Sequence, residues 1–170
     1  MNMKYYKIYP PEYVDRDFSF NIKGNNNRVI EYFKFGNLES GFLRRPIVYL
    51  IYENIFEKEL PNIMSSDFYY SGSGILLFSK KFYDEFHDIL SIECEFFECL
   101  VNENKSDIYA LNIKKYTNLL DNNGNFNCDL SNEIKFFARD INEPYFYVVT
   151  QDFLNLIGNE FKMQFLELKN

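Results

Sequence analysis

Tryptophan is absent from this chain of 170 residues, and histidine and cysteine are scarce, with one and three copies. Three cysteines cannot all pair, and Cys94, Cys99 and Cys128 show no Cys-x-x-Cys spacing. We therefore expect reduced thiols that are at least half-buried. No apolar run approaches the roughly 20 residues of a membrane span, and the N-terminal segment lacks the apolar region of a signal peptide. We expect a cytoplasmic protein without a membrane partner.

Aromatic residues are abundant instead. The chain has 19 phenylalanines and 14 tyrosines, which predicts a dense aromatic core together with some exposed rings. A chain of this length buries roughly two-thirds of its unfolded surface, enough to fold without disulfides. We predict a single domain over residues 1–170, with a β-rich N-terminal lobe over residues 1–70 and an α+β lobe over residues 71–170. The turn-forming residues 71–74 mark the boundary between the lobes.

The net charge of −7 is concentrated in one segment. Residues 84–107 contain eight acidic residues and a single lysine, whereas the charges of residues 1–70 cancel. Because phosphate contacts need a basic surface, this distribution makes nucleic acid a poor candidate partner. A protein with a basic surface fits better, since opposite charges steer association.

A degenerate internal repeat organises the second half of the chain. Residues 77–82 read Leu-Phe-Ser-Lys-Lys-Phe, and residues 148–153 read Val-Val-Thr-Gln-Asp-Phe. Each copy has two apolar residues, a hydroxyl residue, two polar residues and a phenylalanine. The hydroxyl residue, Ser79 or Thr150, is placed to cap a helix that follows a strand. The repeat thus describes a strand–helix–strand scaffold rather than a chemistry.

Each copy continues through its helix into a strand whose apolar pattern changes phase. In the first strand, apolar residues occupy every second position up to Phe96, and the pattern then restarts at the next residue, Phe97. In the second strand, it restarts in the same way at Leu166, directly after Phe165. A change of phase in a period-2 pattern indicates a β-bulge. We predict helices over residues 80–90 and 151–157 and bulged strands over residues 92–101 and 161–168.

The remaining segments are predicted mainly as strands, because alternating or continuous apolar stretches are bounded by turn residues. A short helical turn is expected at residues 116–120. The predicted strands cover residues 5–9, 18–22, 29–35, 46–52, 75–78, 108–113 and 134–137. Together with the repeat they predict an α+β fold, in which a mostly antiparallel sheet carries two short packed helices.

No residue pattern indicates catalysis or a cofactor. His87 has no Ser or Cys nucleophile pattern nearby, so we expect a solvated helix position. The loop at residues 121–129 resembles a calcium loop, but Gly124 falls two positions too early for an EF-hand, and we expect a turn. Arg44 and Arg45 are a candidate anion site, although their flanking residues favour an ordinary strand entry. We therefore expect no enzyme activity, no cofactor and no metal.

The acidic segment contains the strongest candidate binding site. Glu93 and Glu95 alternate with apolar residues and should point away from the core, and the phase change returns Glu98 to the outward face. Three further carboxylates would extend this surface from the preceding helix: Asp84, Glu85 and Asp88. The surface is either a merely solvated face or a docking surface for a cationic partner, with exposed tyrosine or phenylalanine side chains as anchors.

Several short motifs follow one another in a familiar order after residue 60. They are Leu60-Pro61, residues 75–82, Glu95-Phe96-Phe97, Tyr109-Ala110-Leu111-Asn112, Leu120-Asp121 and residues 148–153. In this order they resemble the immunity proteins of bacterial polymorphic toxin systems, specifically the immunity protein 43 group and its relative, immunity protein 11. The resemblance covers the chain from residue 60 onward.

The resemblance implies a non-catalytic protein that binds one cognate toxin domain in the cytoplasm and occludes its active or substrate-binding surface. It brings no catalytic residue with it, because the matched positions are helix caps and core residues. Two alternatives stay open. One is a small enzyme or ligand-binding domain with a cleft between the two lobes near His87. The other is an assembly protein that self-associates through exposed edge strands.

Overall fold

The computed structural model describes residues 3–24, 27–36, 46–127, 130 and 133–169. Within them the chain has the predicted α+β fold. The helices are α1 (Asn27–Phe35), α2 (Leu60–Met64), α3 (Lys80–Leu90) and α4 (Gln151–Ile157), and Asn54–Phe56 forms a 3-10 turn. The strands are β1 (Tyr5–Tyr9), β2 (Asn21–Ile22), β3 (Val48–Ile51), β4 (Phe68–Tyr69), β5 (Leu76–Ser79), β6 (Cys94–Val101), β7 (Asn104–Ile113), β8 (Tyr116–Thr117), β9 (Phe137–Asp140), β10 (Tyr147–Thr150) and β11 (Gln164–Glu167).

The strands pair mostly antiparallel, as predicted, but they form two sheets where one was expected. One sheet has the order β2-β3-β6-β7-β5-β4, and the other has the order β11-β1-β10-β9-β8. Among the described strands, β3–β6 and β8–β9 are the parallel pairs. Each sheet contains strands from both sides of residue 70, because β1 lies between β10 and β11 while β2, β3 and β4 share a sheet with β5, β6 and β7.

The internal repeat is present in the topology of the strands. In the first copy, α3 connects β5 to β6, and the antiparallel strand β7 lies between them. In the second copy, α4 connects β10 to β11, and the antiparallel strand β1 lies between them. The outer neighbours also correspond, since β4 pairs with β5 and β9 pairs with β10, both antiparallel. The N-terminal strand therefore completes the second copy.

Both predicted helix caps are present. The Ser79 Oγ accepts a hydrogen bond from the N–H of Phe82 at 3.2 Å, and the Thr150 Oγ1 accepts one from the N–H of Phe153 at 3.3 Å. Gly158 ends α4 as predicted, with a φ of +59° that glycine adopts without strain. Helices α3 and α4 therefore cover the predicted residues.

The two capped helices meet in one core between the sheets. The Phe82 and Phe153 side chains occupy equivalent positions of the repeat, are fully buried, and have ring centroids 6.1 Å apart. Phe82 also stacks on Phe78 of its own sheet at 4.2 Å, and Phe153 contacts Phe137 of the other sheet at 4.7 Å. Such aromatic pairs stabilise by about 0.5–1.5 kcal/mol beyond the area that they bury. Each helix is thus packed against its own sheet and against its counterpart.

The phase change in β6 is not the predicted bulge. Phe96 packs against the core between the sheets, whereas Phe97 packs against a second core on the opposite face, under α1. Pairing with β7 is regular from Cys94 to Glu98, and the register shifts only between Glu98 and Leu100. The apolar pattern therefore changes phase because the buried face changes, and the bulge lies further along the strand.

The second copy gives the same result. β11 pairs regularly with β1 from Gln164 to Glu167, so the bulge predicted here is wrong. Phe165 packs against the core between the sheets, whereas Leu166 lies on the other face and is 56% exposed. Two-sided burial, which explains the phase change in β6, therefore does not explain it here: Leu166 is an apolar residue on the exposed face of β11, and such a residue breaks the alternation without changing the register.

Residues 29–35, predicted as a strand, form most of helix α1 instead. Val29, Tyr32 and Phe33 are buried against the six-stranded sheet. Their spacing of three and four positions from Val29 places them on one face of a helix. The β-branched and aromatic residues favoured a strand by composition, but packing on the sheet decides the structure.

The buried Asp140 joins separate segments through backbone N–H groups. One carboxylate oxygen accepts from the N–H groups of Leu119 and Leu120, and the other accepts from those of Asn142 and Glu143. Burial by itself would raise the pKa of Asp140, but these hydrogen bonds hold the pKa below its ordinary value. They also hold the segment before Leu120 beside β9, and it forms the parallel strand β8 rather than the predicted helical turn.

Two of the three cysteines are described, and both behave as predicted. Cys94 and Cys99 are buried free thiols. Burial raises the pKa of both, that of Cys99 to about 12, so both stay protonated at neutral pH. Cys128 lies outside the described residues.

The contact between the repeats predicts that mutations at Phe82 and Phe153 are coupled. We expect Phe82→Leu and Phe153→Leu each to lower the free energy of unfolding by about 1–3 kcal/mol. In the double variant the two effects should differ from additivity by about 0.5–1.5 kcal/mol. Urea denaturation of the wild type, both single variants and the double variant completes this double-mutant cycle. As a control, the effects of Phe82→Leu and of Leu166→Ala, at an exposed and distant position, should be additive. Additive effects at Phe82 and Phe153 would contradict the shared core.

Candidate protein-binding face

Glu93 is buried, although the sequence predicted it on the outward face. It is 6% exposed, and its carboxylate accepts hydrogen bonds of 2.7–2.8 Å from the N–H groups of Lys135, Phe136 and Phe137. The residue lies in the turn between α3 and β6, before the strand alternation begins at Cys94. Glu93 therefore fixes the segment leading into β9, and the prediction of an outward orientation is wrong.

Glu95 points to the face of the sheet that α1 covers. It is half-buried, and its carboxylate accepts a hydrogen bond from the Tyr32 hydroxyl at 3.0 Å. Because the register is regular from Cys94 to Glu98, Glu95 and Glu98 lie on opposite faces of the sheet. Glu93, Glu95 and Glu98 therefore do not form one acidic face, and only Glu98 lies on the face occupied by α3.

The four remaining predicted carboxylates are exposed: Asp84, Glu85, Asp88 and Glu98. Asp84 pairs with Lys80 on the same helix, and Glu98 Oε1 lies 3.7 Å from Lys105 Nζ. The Lys105 side chain is 84% exposed, and exposed pairs of this kind contribute about 0–1 kcal/mol. These carboxylates can therefore exchange their present partners for those of another protein.

The sheet face around Glu98 is not covered by α3. Phe68, Phe78, Tyr109 and Glu98 are neighbours across β4, β5, β7 and β6, and their side chains share one face. Phe68 and Phe78 are buried in the core between the sheets, where Phe78 stacks on Phe82 of α3, whereas Tyr109 is half-buried and Glu98 is exposed. Further along the face, Ile47 before β3 is 55% exposed. Helix α3 thus covers one half of this face and leaves the other half open.

Three stacked rings stand at the edge of the open half. The rings of His87 and Tyr83 stack at 4.5 Å, and the rings of Tyr83 and Tyr109 stack at 3.9 Å with an interplanar angle of 5°. His87 Nδ1 also lies 2.8 Å from the Tyr83 carbonyl oxygen, which fixes the start of the stack. His87 is half-exposed, as its predicted solvated position requires. The stack presents aromatic surface that is already ordered.

The stack and the open half of the sheet form a shallow groove, which we call the tyrosine groove. Its lining comprises Pro46, Ile47, Tyr83, Phe96, Phe97, Glu98, Leu100 and Tyr109. Partial burial raises the pKa of Tyr109, and the nearby Glu98 carboxylate raises it further. The groove therefore combines exposed apolar surface, an aromatic wall and the carboxylate of Glu98, with Asp84 at its helical edge.

The sequence did not single out Tyr83, Tyr109 or Ile47 as site residues. Tyr83 does carry a local signal, because it adjoins Phe82 in α3 and falls outside the buried stripe of that helix. Tyr109 and Ile47 carry no such signal. They reach the groove through pairings between distant strands, and these depend on the whole fold.

The other sites that the sequence suggested are described less favourably or not at all by the structure. A cleft between the two sheets is lined by residues that include Lys7, Tyr9, Tyr70 and Tyr147, but His87 is not among them. The loop that begins at Asp121 is a turn, as predicted, closed by hydrogen bonds to the Asp121 carboxylate. Within the described ranges no group of His, Cys, Asp or Glu is arranged to hold a metal ion. Arg44 and Arg45 lie outside those ranges.

No family model, curated protein or solved structure matches this chain. The resemblance to the immunity protein groups therefore stays a prediction that depends on the short motifs after residue 60. In the part of the chain that the structure describes, every helix is too short or too polar to cross a membrane.

The burial of Glu93 predicts a structural role that exposed acidic residues nearby do not have. We expect Glu93→Gln to lower the free energy of unfolding by about 1–3 kcal/mol, because the amide replaces one acceptor by a donor that faces a backbone N–H. Glu85→Gln on the exposed side of α3 should change it by less than about 0.5 kcal/mol. Urea denaturation of both variants provides the measurement. Equal stabilities of the two variants would contradict the structural role of the Glu93 hydrogen bonds.

Proposed function

We propose that this protein binds a cognate toxin domain and neutralises it by covering the active or substrate-binding surface of the toxin. The tyrosine groove is the observation that carries the proposal. It offers ordered aromatic rings and exposed apolar side chains beside carboxylates, on a part of the sheet that no element of the described chain covers.

The composition of the groove suits a protein partner. Binding energy in protein interfaces is concentrated in a few residues, among which tyrosine is enriched, and these are surrounded by a polar rim. Tyr83, Tyr109 and Ile47 correspond to such a centre, and Asp84 and Glu98 correspond to its rim. Because Tyr83 and Tyr109 already stack on each other, little side-chain entropy is lost when a partner binds.

The exposed carboxylates of α3 and β6 favour a basic partner. Asp84, Glu85, Asp88 and Glu98 are exposed on α3 and β6, and they belong to the segment that carries the net charge of the chain. Toxin domains that act on nucleic acid need basic clefts, and a carboxylate surface can occupy such a cleft in place of phosphates. Steering by these charges would accelerate association at low salt and would weaken as salt screens them.

A ligand-binding domain is the second candidate function. The cleft between the sheets favours it, because burial lowers the pKa of Lys7, one of its lining residues, and thereby marks a partly desolvated cation. The Tyr147 hydroxyl, also in this cleft, is already engaged with the backbone of Ile8. The proposal for a toxin-binding face therefore has the stronger support.

The test combines capture with neutralisation. The tagged protein is used to capture partners from cells of its source, and each captured protein is expressed in a host with and without this chain. We expect one partner that kills the host alone and is harmless in the presence of the chain. Glu98→Lys and Tyr83→Ala should each weaken neutralisation and reduce affinity at least about 10-fold.

Glu143→Lys supplies the matched control, since Glu143 is exposed on the turn before β10, away from the groove lining. It changes the net charge as Glu98→Lys does and should leave neutralisation intact. Failure to recover any toxic partner would refute the proposed function. A toxic partner whose neutralisation survives both groove variants would place its binding on another surface.

A further inference from the structure

We infer that the tyrosine groove receives an arginine side chain of the partner, stacked on the outer face of Tyr109 and paired with Glu98. This inference rests on the proposed function and names the contact that its central site makes.

The ring stack leaves one aromatic face open at the groove. Tyr83 has a near-parallel ring on each side, His87 at 4.5 Å and Tyr109 at 3.9 Å, so both of its faces are occupied. Among the described residues, Tyr109 is the last ring of the stack. It is half-exposed and lines the groove. A flat group can therefore extend the stack by one layer on Tyr109.

Glu98 is the carboxylate beside that open layer. Glu98 and Tyr109 are paired residues of β6 and β7, so their side chains leave the same face of the sheet next to each other. The Glu98 carboxylate also raises the pKa of Tyr109, which is a sign of their proximity. A cation that stacks on Tyr109 would therefore lie within reach of Glu98.

The present partner of Glu98 is easily displaced. Lys105 Nζ lies 3.7 Å from Glu98 Oε1, and the lysine side chain is 84% exposed. The pair adjoins the register shift that begins after Glu98, where regular pairing with β7 is interrupted. Since such a surface pair contributes about 0–1 kcal/mol, a better oriented cation can replace it.

Arginine matches this geometry better than lysine does. Its guanidinium group is planar, stacks on aromatic rings and donates two parallel hydrogen bonds to a carboxylate, whereas an ammonium group is a strongly hydrated point charge. The apolar stem of the side chain would lie along Ile47 and Leu100, which line the same groove. The groove thus offers a surface for each part of an arginine side chain.

The test uses small probes and does not require the toxin. The protein is titrated with N-acetyl-arginine amide and, separately, with N-acetyl-lysine amide, while NMR follows the Tyr109 ring. We expect saturable shifts at Tyr109 with arginine, and an affinity at least about 5-fold weaker for lysine. Tyr109→Leu and Glu98→Gln should each remove the preference, whereas Tyr109→Phe should retain it because the ring is kept.

Thermal unfolding of each variant checks that the fold is intact, and the pair Tyr109→Phe and Tyr109→Leu separates the loss of the ring from general damage. Equal shifts with the two probes, or an arginine preference that survives Tyr109→Leu in the folded protein, would overturn the inference. A toxic partner that binds and is neutralised while the groove shows no arginine preference would refute this contact alone. An arginine preference without any toxic partner would refute the proposed function alone.

Discussion

The contact between Phe82 and Phe153 is the constraint on which the arrangement of this protein depends. Each phenylalanine follows its cap residue, Ser79 or Thr150, by three positions, and each cap accepts a hydrogen bond from the N–H of that phenylalanine. The caps therefore place the two rings equivalently, and both enter one core between the sheets. The N-terminal strand β1 is part of the same arrangement, because it lies between β10 and β11 as β7 lies between β5 and β6.

The position of α3 also decides which surface stays open. The helix packs on β5, on β7 and on the start of β6, so it does not cover the end of β6 or the adjoining residues before β3, and these are exposed among the described residues. The tyrosine groove forms where the covered and uncovered halves meet. Its aromatic wall is ordered because one of its rings, Tyr83, belongs to the helix that the core holds in place. The scaffold and the proposed binding site are therefore consequences of the same packing.

Local signals in the sequence were sufficient for the repeat, both caps and the limits of α3 and α4, because a cap and the apolar stripe after it act within one turn of helix. Non-local features could not be predicted in this way. The sequence around Glu93 predicts an exposed side chain, because the N–H groups that bind its carboxylate belong to residues about 40 positions away. The phase change at Phe96 was interpreted as a bulge because the sequence does not show that Phe96 and Phe97 enter cores on opposite faces of the sheet. The one at Phe165 was interpreted in the same way because the sequence does not show that Leu166 is an exposed apolar residue. Tyr109 acquires its place in the groove only through strand pairing.

Hydroxyl-radical footprinting of the tyrosine side chains, in the free protein and in its complex with the captured toxin domain, tests the central claim most directly. Binding at the tyrosine groove predicts that Tyr83 and Tyr109 become protected from oxidation. Tyr13 and Tyr145, which are 46% and 48% exposed and do not line the groove, should react as before. Protection of Tyr13 or Tyr145 with unchanged oxidation of Tyr83 and Tyr109 would contradict the account.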